Sequence, residues 1–272
     1  MSEPDRYAVI GHPIAHSKSP VIHKLFAEFT GELIAYEAID VAPDNLNEWL
    51  QHFASEGGRG LNVTVPHKQD ALTLMDDLSD RAKLAGAVNT ITVMENGDLH
   101  GDNTDGVGLI TDLRDNLSVE LIDSSILILG AGGATRGIIP PLLDEKPVEL
   151  IIANRTLDRA NSLANVFADR GNISASSFAG LEGHAFNLII NATSAGLEGE
   201  MPAFPASILG PDTVCYDLSY SMKDTPFIDW AKRQGCTHTY QGWGMLVEQA
   251  AESFNIWRGV RPETDKVRAQ LP

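Results

Sequence analysis

Cysteine is nearly missing from this chain of 272 residues: there are two, Cys215 and Cys236, both in segments that read as strands. Two isolated thiols make neither a disulfide framework nor a zinc site. Positive charge is scarce as well. Lys and Arg number 20 against 37 Asp and Glu, a net charge of −17, and so acidic a surface excludes nucleic acid and anionic membranes as partners. No apolar run reaches the roughly 18 residues of a membrane span. The opening stretch MSEPDRYAVIG has neither a basic n-region nor an apolar h-region, so no signal peptide is expected and a cytoplasmic location is the default. Internal repeats, low-complexity tracts and Pro/Ser-rich linkers are absent. So is any Tyr-x-x-x-Lys pair, which removes the short-chain reductase arrangement. His12 and His16 stand at i,i+4 but flank Pro13 in an expected loop without a third ligand, and no metal site is expected.

What remains is an ordinary apolar fraction of 43%, in a chain long enough for two domains. Strand and helix patterns alternate. Tyr7–Gly11, Leu33–Val41 and Leu61–Val65 read as strands. Ser19-Pro20 opens a helix, with Ser19 as N-cap and Pro at the first helical position. Pro43-Asp44 opens another, with Leu46, Trp49, Leu50 and Phe53 on one face. Ala87–Met94 and Asp98–His100 make a hairpin around Asn96-Gly97. Gly106–Leu117 predicts a connecting helix. The second half begins at Ser125 with continuous apolar strands, SILIL, VELIIA, FNLIINAT and TVCYDLSY. A helix over Ala160–Phe167 follows the second of them. A strand at Thr237–Tyr240 precedes a last long helix from Gly242 to Arg258. Uninterrupted apolar strands between helices predict a parallel sheet covered on both faces. The fold class is therefore α/β, with two α/β domains and a ligand cleft expected between them. A substrate domain is expected over 1–104 with 242–272, and a Rossmann-type dinucleotide domain over 105–241.

Chemistry enters at the glycine turn. Gly130, Gly132 and Gly133 follow a strand and open a helix, the setting of a dinucleotide fingerprint, with Ala134 next and Thr135 in the third glycine position. Glycines let the backbone approach a pyrophosphate, which the helix N-terminus attracts. An NAD site carries Asp or Glu about 20 residues further on. Here that strand ends in Asn154-Arg155-Thr156, with Arg159 one turn later. Two arginines and no carboxylate suit a 2′-phosphate, so the cofactor is read as NADP and the chemistry as hydride transfer. Candidate partners for the developing alkoxide lie in the first half. In GLNVTVPHK, Asn62 and Thr64 share a strand face and Lys68 follows Pro66. HSKSP places Ser17 and Ser19 at a helix start, suited to a carboxylate. GDNTDG carries Asp102 and Asp105 between glycines.

In this order and spacing SKSP (17–20), NVTVPHK (62–68), AVNT (87–90), GDNTDG (101–106), GAGGATRG (130–137), NRT (154–156), NATSAG (191–196), YDLSY (216–220) and GMLVEQAA (244–251) resemble the shikimate dehydrogenase family over nearly the whole chain. The resemblance implies NADPH-dependent reduction of 3-dehydroshikimate to shikimate in aromatic amino acid biosynthesis, by a monomer or homodimer. By motif, Ser17, Ser19 and Tyr220 would hold the substrate carboxylate. Asn62, Thr64, Lys68, Asn89, Asp105 and Gln249 would hold its hydroxyl and keto oxygens, with Lys68 and Asp105 the catalytic pair. Lys68 either donates a proton or only polarises the carbonyl. Arg155, Thr156 and Arg159 would take the 2′-phosphate, with Asn154 and Thr193 also at the cofactor. Leu218, Gly242 and Met245 would line the nicotinamide, where Trp243 is bulkier than the aliphatic residue the family leads one to expect. A broader quinate/shikimate dehydrogenase and a non-catalytic NADP(H) sensor are the alternatives. Retention of both Lys68 and Asp105 argues against the sensor.

Overall fold

The computed structural model describes residues 3–193 and 204–271. The chain divides into two compact units, one running to Gly108 and resuming over Leu246–Leu271, the other Leu109–Met245. The divisions fall about one helical turn beyond the junctions expected from sequence, because helices α5 (Asp105–Thr111) and α9 (Trp243–Arg258) run through them. Of the NATSAG motif, Ser194, Ala195 and Gly196 lie outside the described residues.

The first unit is built on a six-stranded mixed sheet. Its strands are β1 (Asp5–Gly11), β2 (Ile34–Asp40), β3 (Gly58–Val63), β4 (Asp77–Leu78), β5 (Thr90–Val93) and β6 (Leu99–Asp102), in the order β2-β1-β3-β5-β6-β4. β5 and β6 are the expected hairpin, with Gly97 at φ +90° in its turn. Alternation along β3 sends Leu61 and Val63 into a core with Leu50 and Phe53 of α2 (Leu46–Ser55). Helices α1 (Ser19–Thr30), α9 and α10 (Asp265–Arg268) form a second core around Ile22, Phe26, Val247 and Phe254. Each fully buried Leu or Phe contributes about 1.5–3 kcal/mol. Register sets Asn62 opposite Thr90 and Thr90 opposite Asp102, so three polar residues form one row across the sheet.

Two sequence expectations need correction in this unit. Ser19 is not the N-cap of α1; Lys18 holds that position, and Ser17 Oγ accepts a bond from the Ser19 N–H at 3.3 Å. The reason is that Lys18 already has near-helical backbone angles, φ −92° and ψ −6°, so the helix begins one residue earlier than a Ser cap implies. Strand β3 stops at Val63, and short helices α3 (Lys68–Leu72) and α4 (Asp80–Ala85) follow it.

The second unit is a six-stranded, wholly parallel sheet of β7 (Ser125–Leu129), β8 (Glu149–Ala153), β9 (Ile173–Ser176), β10 (Phe186–Asn191), β11 (Leu209–Asp217) and β12 (His238–Gln241). The order β12-β11-β10-β7-β8-β9 reverses direction between β7 and β10, a topological switch point of the Rossmann kind. Helices α6 (Gly133–Asp144), α7 (Leu157–Val166) and α8 (Pro226–Arg233) connect strands. Ile126 and Ile128 pack on one face with Ile138 and Leu142, while Leu127 and Leu129 pack on the other with Phe227 and Ile228. That two-sided burial is why these strands read as unbroken apolar runs. Cys236 does not lie in a strand, as sequence suggested; it sits in the turn before β12, bonding through Sγ to the Thr213 carbonyl at 3.2 Å.

Candidate functional site

Lys68 is the first residue of α3, and Asp105 opens α5. Their side chains meet in the first unit, Nζ donating to Asp105 Oδ2 at 2.6 Å. Asp105 is 7% exposed and its other oxygen accepts from Asn89 Nδ2 at 2.8 Å, so the carboxylate is held from both sides. The turn that presents it is an Asx turn, Asn103 Oδ1 accepting from the Asp105 N–H at 3.1 Å. Asp102, three residues earlier, is spent elsewhere. Burial would raise its pKa, but the fork of Arg81 at 2.6 and 2.8 Å and the Ser79 hydroxyl at 2.6 Å together hold it below the usual range. Of the two acids that sequence singled out in GDNTDG, the one beside Lys68 is Asp105.

Around this pair lies a continuous polar network. Asn89 Oδ1 accepts from the Thr104 N–H and the Thr90 hydroxyl, and Gln249 Oε1 of α9 lies 3.4 Å from both Asn89 Nδ2 and Thr104 Oγ1. Asn62 is 6% exposed. Its Nδ2 reaches Ser253 Oγ at 3.0 Å, the Asn89 carbonyl at 3.2 Å and Thr90 Oγ1 at 3.3 Å, and its Oδ1 accepts from Tyr36 OH at 2.7 Å. Thr64 is half-buried beyond the end of β3, its N–H bonded to the Ile10 carbonyl. Ser19 is buried at the start of α1 and Ser17 half-buried just before it. Lys68, Asp105, Asn62, Asn89 and Gln249 are thus gathered into one network, which also includes Tyr36, Thr90, Thr104 and Ser253. The sequence reading named none of these four as site residues. Thr90 and Thr104 lie inside the quoted motifs AVNT and GDNTDG and could have been found; Tyr36 and Ser253 carry no local signal. His12 is a loop residue, its Nδ1 2.5 Å from Asp40 Oδ1 at the start of the segment that leads to Ser17.

In the second unit the glycine turn lies at the switch point. Gly130 has φ +103°, open to glycine and strained for other residues, and a side chain there would press on Ala192 and Thr193 at 3.1 Å. Thr193 caps β10, bonding through its N–H and hydroxyl to Asn191 Oδ1. Gly132 faces open space, and α6 begins at Gly133 and Ala134 without a side-chain cap, leaving its first N–H groups for a ligand. Thr135 replaces the third glycine and bonds through Oγ1 to the Gly130 carbonyl at 2.9 Å, tightening the turn. At the tip of β8, Asn154 Nδ2 bonds the Thr156 carbonyl, and Arg155 and Arg159 are exposed with no ion pair among the described residues. In so acidic a chain, two free guanidinium groups beside an uncapped helix start fit a dinucleotide carrying an extra phosphate.

Farther along the same sheet edge, Gly242 donates to the Ser219 carbonyl at 3.1 Å, and a side chain at Gly242 would collide with the backbone of Leu218. The Met245 N–H donates to Tyr216 OH at 3.3 Å, which brings Leu218, Gly242 and Met245 into one corner. Tyr220 is half-buried, and burial pushes its phenol pKa up. Its ring lies 4.5 Å from Trp243, so the bulky residue noted in the sequence packs on Tyr220.

Comparison with known proteins agrees along the chain. Residues 9–91 match the family described as shikimate dehydrogenase substrate binding domain, residues 113–198 that described as shikimate / quinate 5-dehydrogenase, and residues 242–271 the shikimate 5'-dehydrogenase C-terminal domain. A shikimate dehydrogenase (NADP(+)) of Methylococcus capsulatus is 54% identical over 267 residues, 98% of this chain and 96% of the relative. Among solved structures, an Ael1 enzyme from Pseudomonas putida superposes with a TM-score of 0.93 at 45% identity, covering 98% of each chain. Shikimate 5-dehydrogenase from Thermus thermophilus in complex with NADP(H) and shikimate superposes with a TM-score of 0.87 at 35% identity, covering 97% of each chain.

Proposed function

The chain belongs to the shikimate dehydrogenase family, and we propose for its own residues the roles that follow. The activity is that of an NADP-dependent shikimate dehydrogenase, the reversible reduction of 3-dehydroshikimate to shikimate in aromatic biosynthesis. Bound NADPH supplies the hydride. As the carbonyl carbon accepts it, the C=O π pair moves to oxygen, and the alkoxide takes a proton to become the hydroxyl of shikimate. Lys68 supplies that proton, or the positive charge that stabilises the alkoxide before water does. Asp105 holds the ammonium in place, and Asn89 holds Asp105. Ser17, Ser19 and Tyr220 take the substrate carboxylate; Asn62, Thr64, Asn89 and Gln249 take its ring oxygens. Gly130, Gly132, Gly133 and Ala134 receive the pyrophosphate, Asn154, Arg155, Thr156 and Arg159 the adenosine end with its 2′-phosphate, and Thr193, Leu218, Gly242 and Met245 the rest of the cofactor. A cytoplasmic location belongs to the same reading.

The observation that carries these roles is the half-buried Lys68–Asp105 pair tied to Asn89, an arrangement that a cofactor sensor does not need. The test is a set of initial rates on shikimate and on quinate, each with NADP and with NAD. Shikimate with NADP should be turned over fastest. Comparable turnover of quinate would widen the substrate class, and no turnover with any pair would leave NADP binding alone.

A further inference from the structure

Asn62 has two N–H donors and two carbonyl lone pairs. Its amide nitrogen lies among three acceptors inside the unit: the hydroxyls of Ser253 and Thr90 and the carbonyl of Asn89. Both N–H bonds are therefore spent internally. One lone pair of Oδ1 is taken by the Tyr36 hydroxyl at 2.7 Å. The capacity left over is a single lone pair, so toward a ligand Asn62 can accept a hydrogen bond and cannot donate one.

Tyr36 supports this polarity at the oxygen, as the Asn89 carbonyl does at the nitrogen. The Asn89 carbonyl, which can only accept, keeps Nδ2 on the inner side; without the Tyr36 hydroxyl, Oδ1 loses the donor that braces it from the other side. Tyr36 is itself held rigidly. Its ring stacks on buried His23 at 4.1 Å with an 8° interplanar angle, and Trp257 packs nearby at 6.4 Å. The Ser19 hydroxyl lies beside its phenol and partly offsets the effect of burial, which raises the pKa. One phenol therefore stands next to a serine proposed for the substrate carboxylate and an asparagine proposed for a ring hydroxyl.

Resting on the proposed function, we infer that Tyr36 is a positioning residue that braces the Asn62 carbonyl oxygen as a hydrogen-bond acceptor and so favours a substrate presenting a hydroxyl, rather than a keto oxygen, at that point. It acts on binding through Asn62 and touches no reacting atom.

The test is a double-mutant cycle on shikimate binding, measured calorimetrically with the full chain. Tyr36→Phe keeps the ring stack and removes only the hydroxyl. It should raise the shikimate Kd about threefold to tenfold, the scale of one neutral hydrogen bond, and leave the NADP Kd unchanged. In an Asn62→Ala background the same substitution should add nothing, because residues acting through one another are not additive. A Tyr36→Phe protein with wild-type affinity overturns the inference. So does an equal fold-loss in both backgrounds, and so does a parallel loss of NADP affinity, which marks general damage. Wild-type protein that fails to bind shikimate would sink the functional assignment itself, an outcome distinct from any of these.

Discussion

His23 has no exposed surface, neither ring nitrogen makes a hydrogen bond among the described residues, and its neighbours are the rings of Tyr36, Phe26, Phe254 and Trp257, with the Asn62 side chain offsetting a small part of the effect of burial. Burial drives its pKa from 6.5 down to about 3. The unfolded chain therefore takes up a proton below pH 6.5 that the folded chain refuses until about pH 3, so stability falls as pH drops through that window. Integrated from pH 7 to pH 5, this one group should cost the folded state about 2 kcal/mol, approaching the limit of about 1.4 kcal/mol per pH unit. His23→Phe keeps an aromatic ring of similar size and removes the titration. Urea unfolding of both proteins at pH 7 and pH 5 should show the wild type losing about 2 kcal/mol more than the variant. The transition to follow is that of the first unit, reported by Trp49 and Trp257, since a chain of two units need not unfold in one step. Every other titrating group is common to the two proteins and cancels in the difference. Equal losses would show that His23 accepts a proton in the folded state, and the account of its environment would fail.

Replacing Arg155 by Ala should raise KM for NADP by roughly tenfold to a hundredfold, the equivalent of one charge-assisted hydrogen bond, and leave KM for NAD nearly unchanged; equal losses with both cofactors would remove Arg155 from the 2′-phosphate. Lys68→Ala should lower kcat by roughly 10²–10⁴-fold, and a double mutant with Asp105→Asn should be little worse than the worse single mutant in steady-state assays. If those two losses multiply, the side chains do not act as a unit. Gly244→Ala would place a methyl group inside the carboxylate of buried Asp112, which holds the Tyr216 hydroxyl at 2.6 Å. Thermal unfolding should show a loss of about 1–3 kcal/mol, the usual cost of overpacking, and an unchanged melting temperature would mean the helix start moves aside.

The features that sequence disclosed were those written in short-range patterns. Two-sided burial made β7, β8 and β10 readable, and the Asn96-Gly97 turn marked its hairpin. Strand β9 escaped because ISAS is short, small and half polar, and lies at the sheet edge. Helices α3 and α4 are too short to show a helical period. Lys68 and Asp105 stood out through their motifs, but their 2.6 Å contact joins positions 37 residues apart. The bond from Asn62 to Ser253 spans 191 residues, and no periodicity connects those positions. His67, which carries no signal of its own in sequence, is fully buried, its Nε2 2.7 Å from the Val41 carbonyl.

Helix α9 completes the sheet of the first unit from the far end of the chain. Trp257 Nε1 donates to the Ile91 carbonyl at 3.1 Å, its indole lies over Gly60 where any side chain would collide, and Ser253 satisfies Asn62 and Thr90. On the ribosome these partners are separated in time. Residues up to Gly108 emerge first, with a bare sheet face and unpaired polar groups, while residues 109–245, contiguous in sequence, have all their own strands before α9 is made. The order of folding is therefore set against the order of synthesis: the unit begun first is finished last, and its unclosed face is what a growing chain must keep from aggregation until α9 arrives.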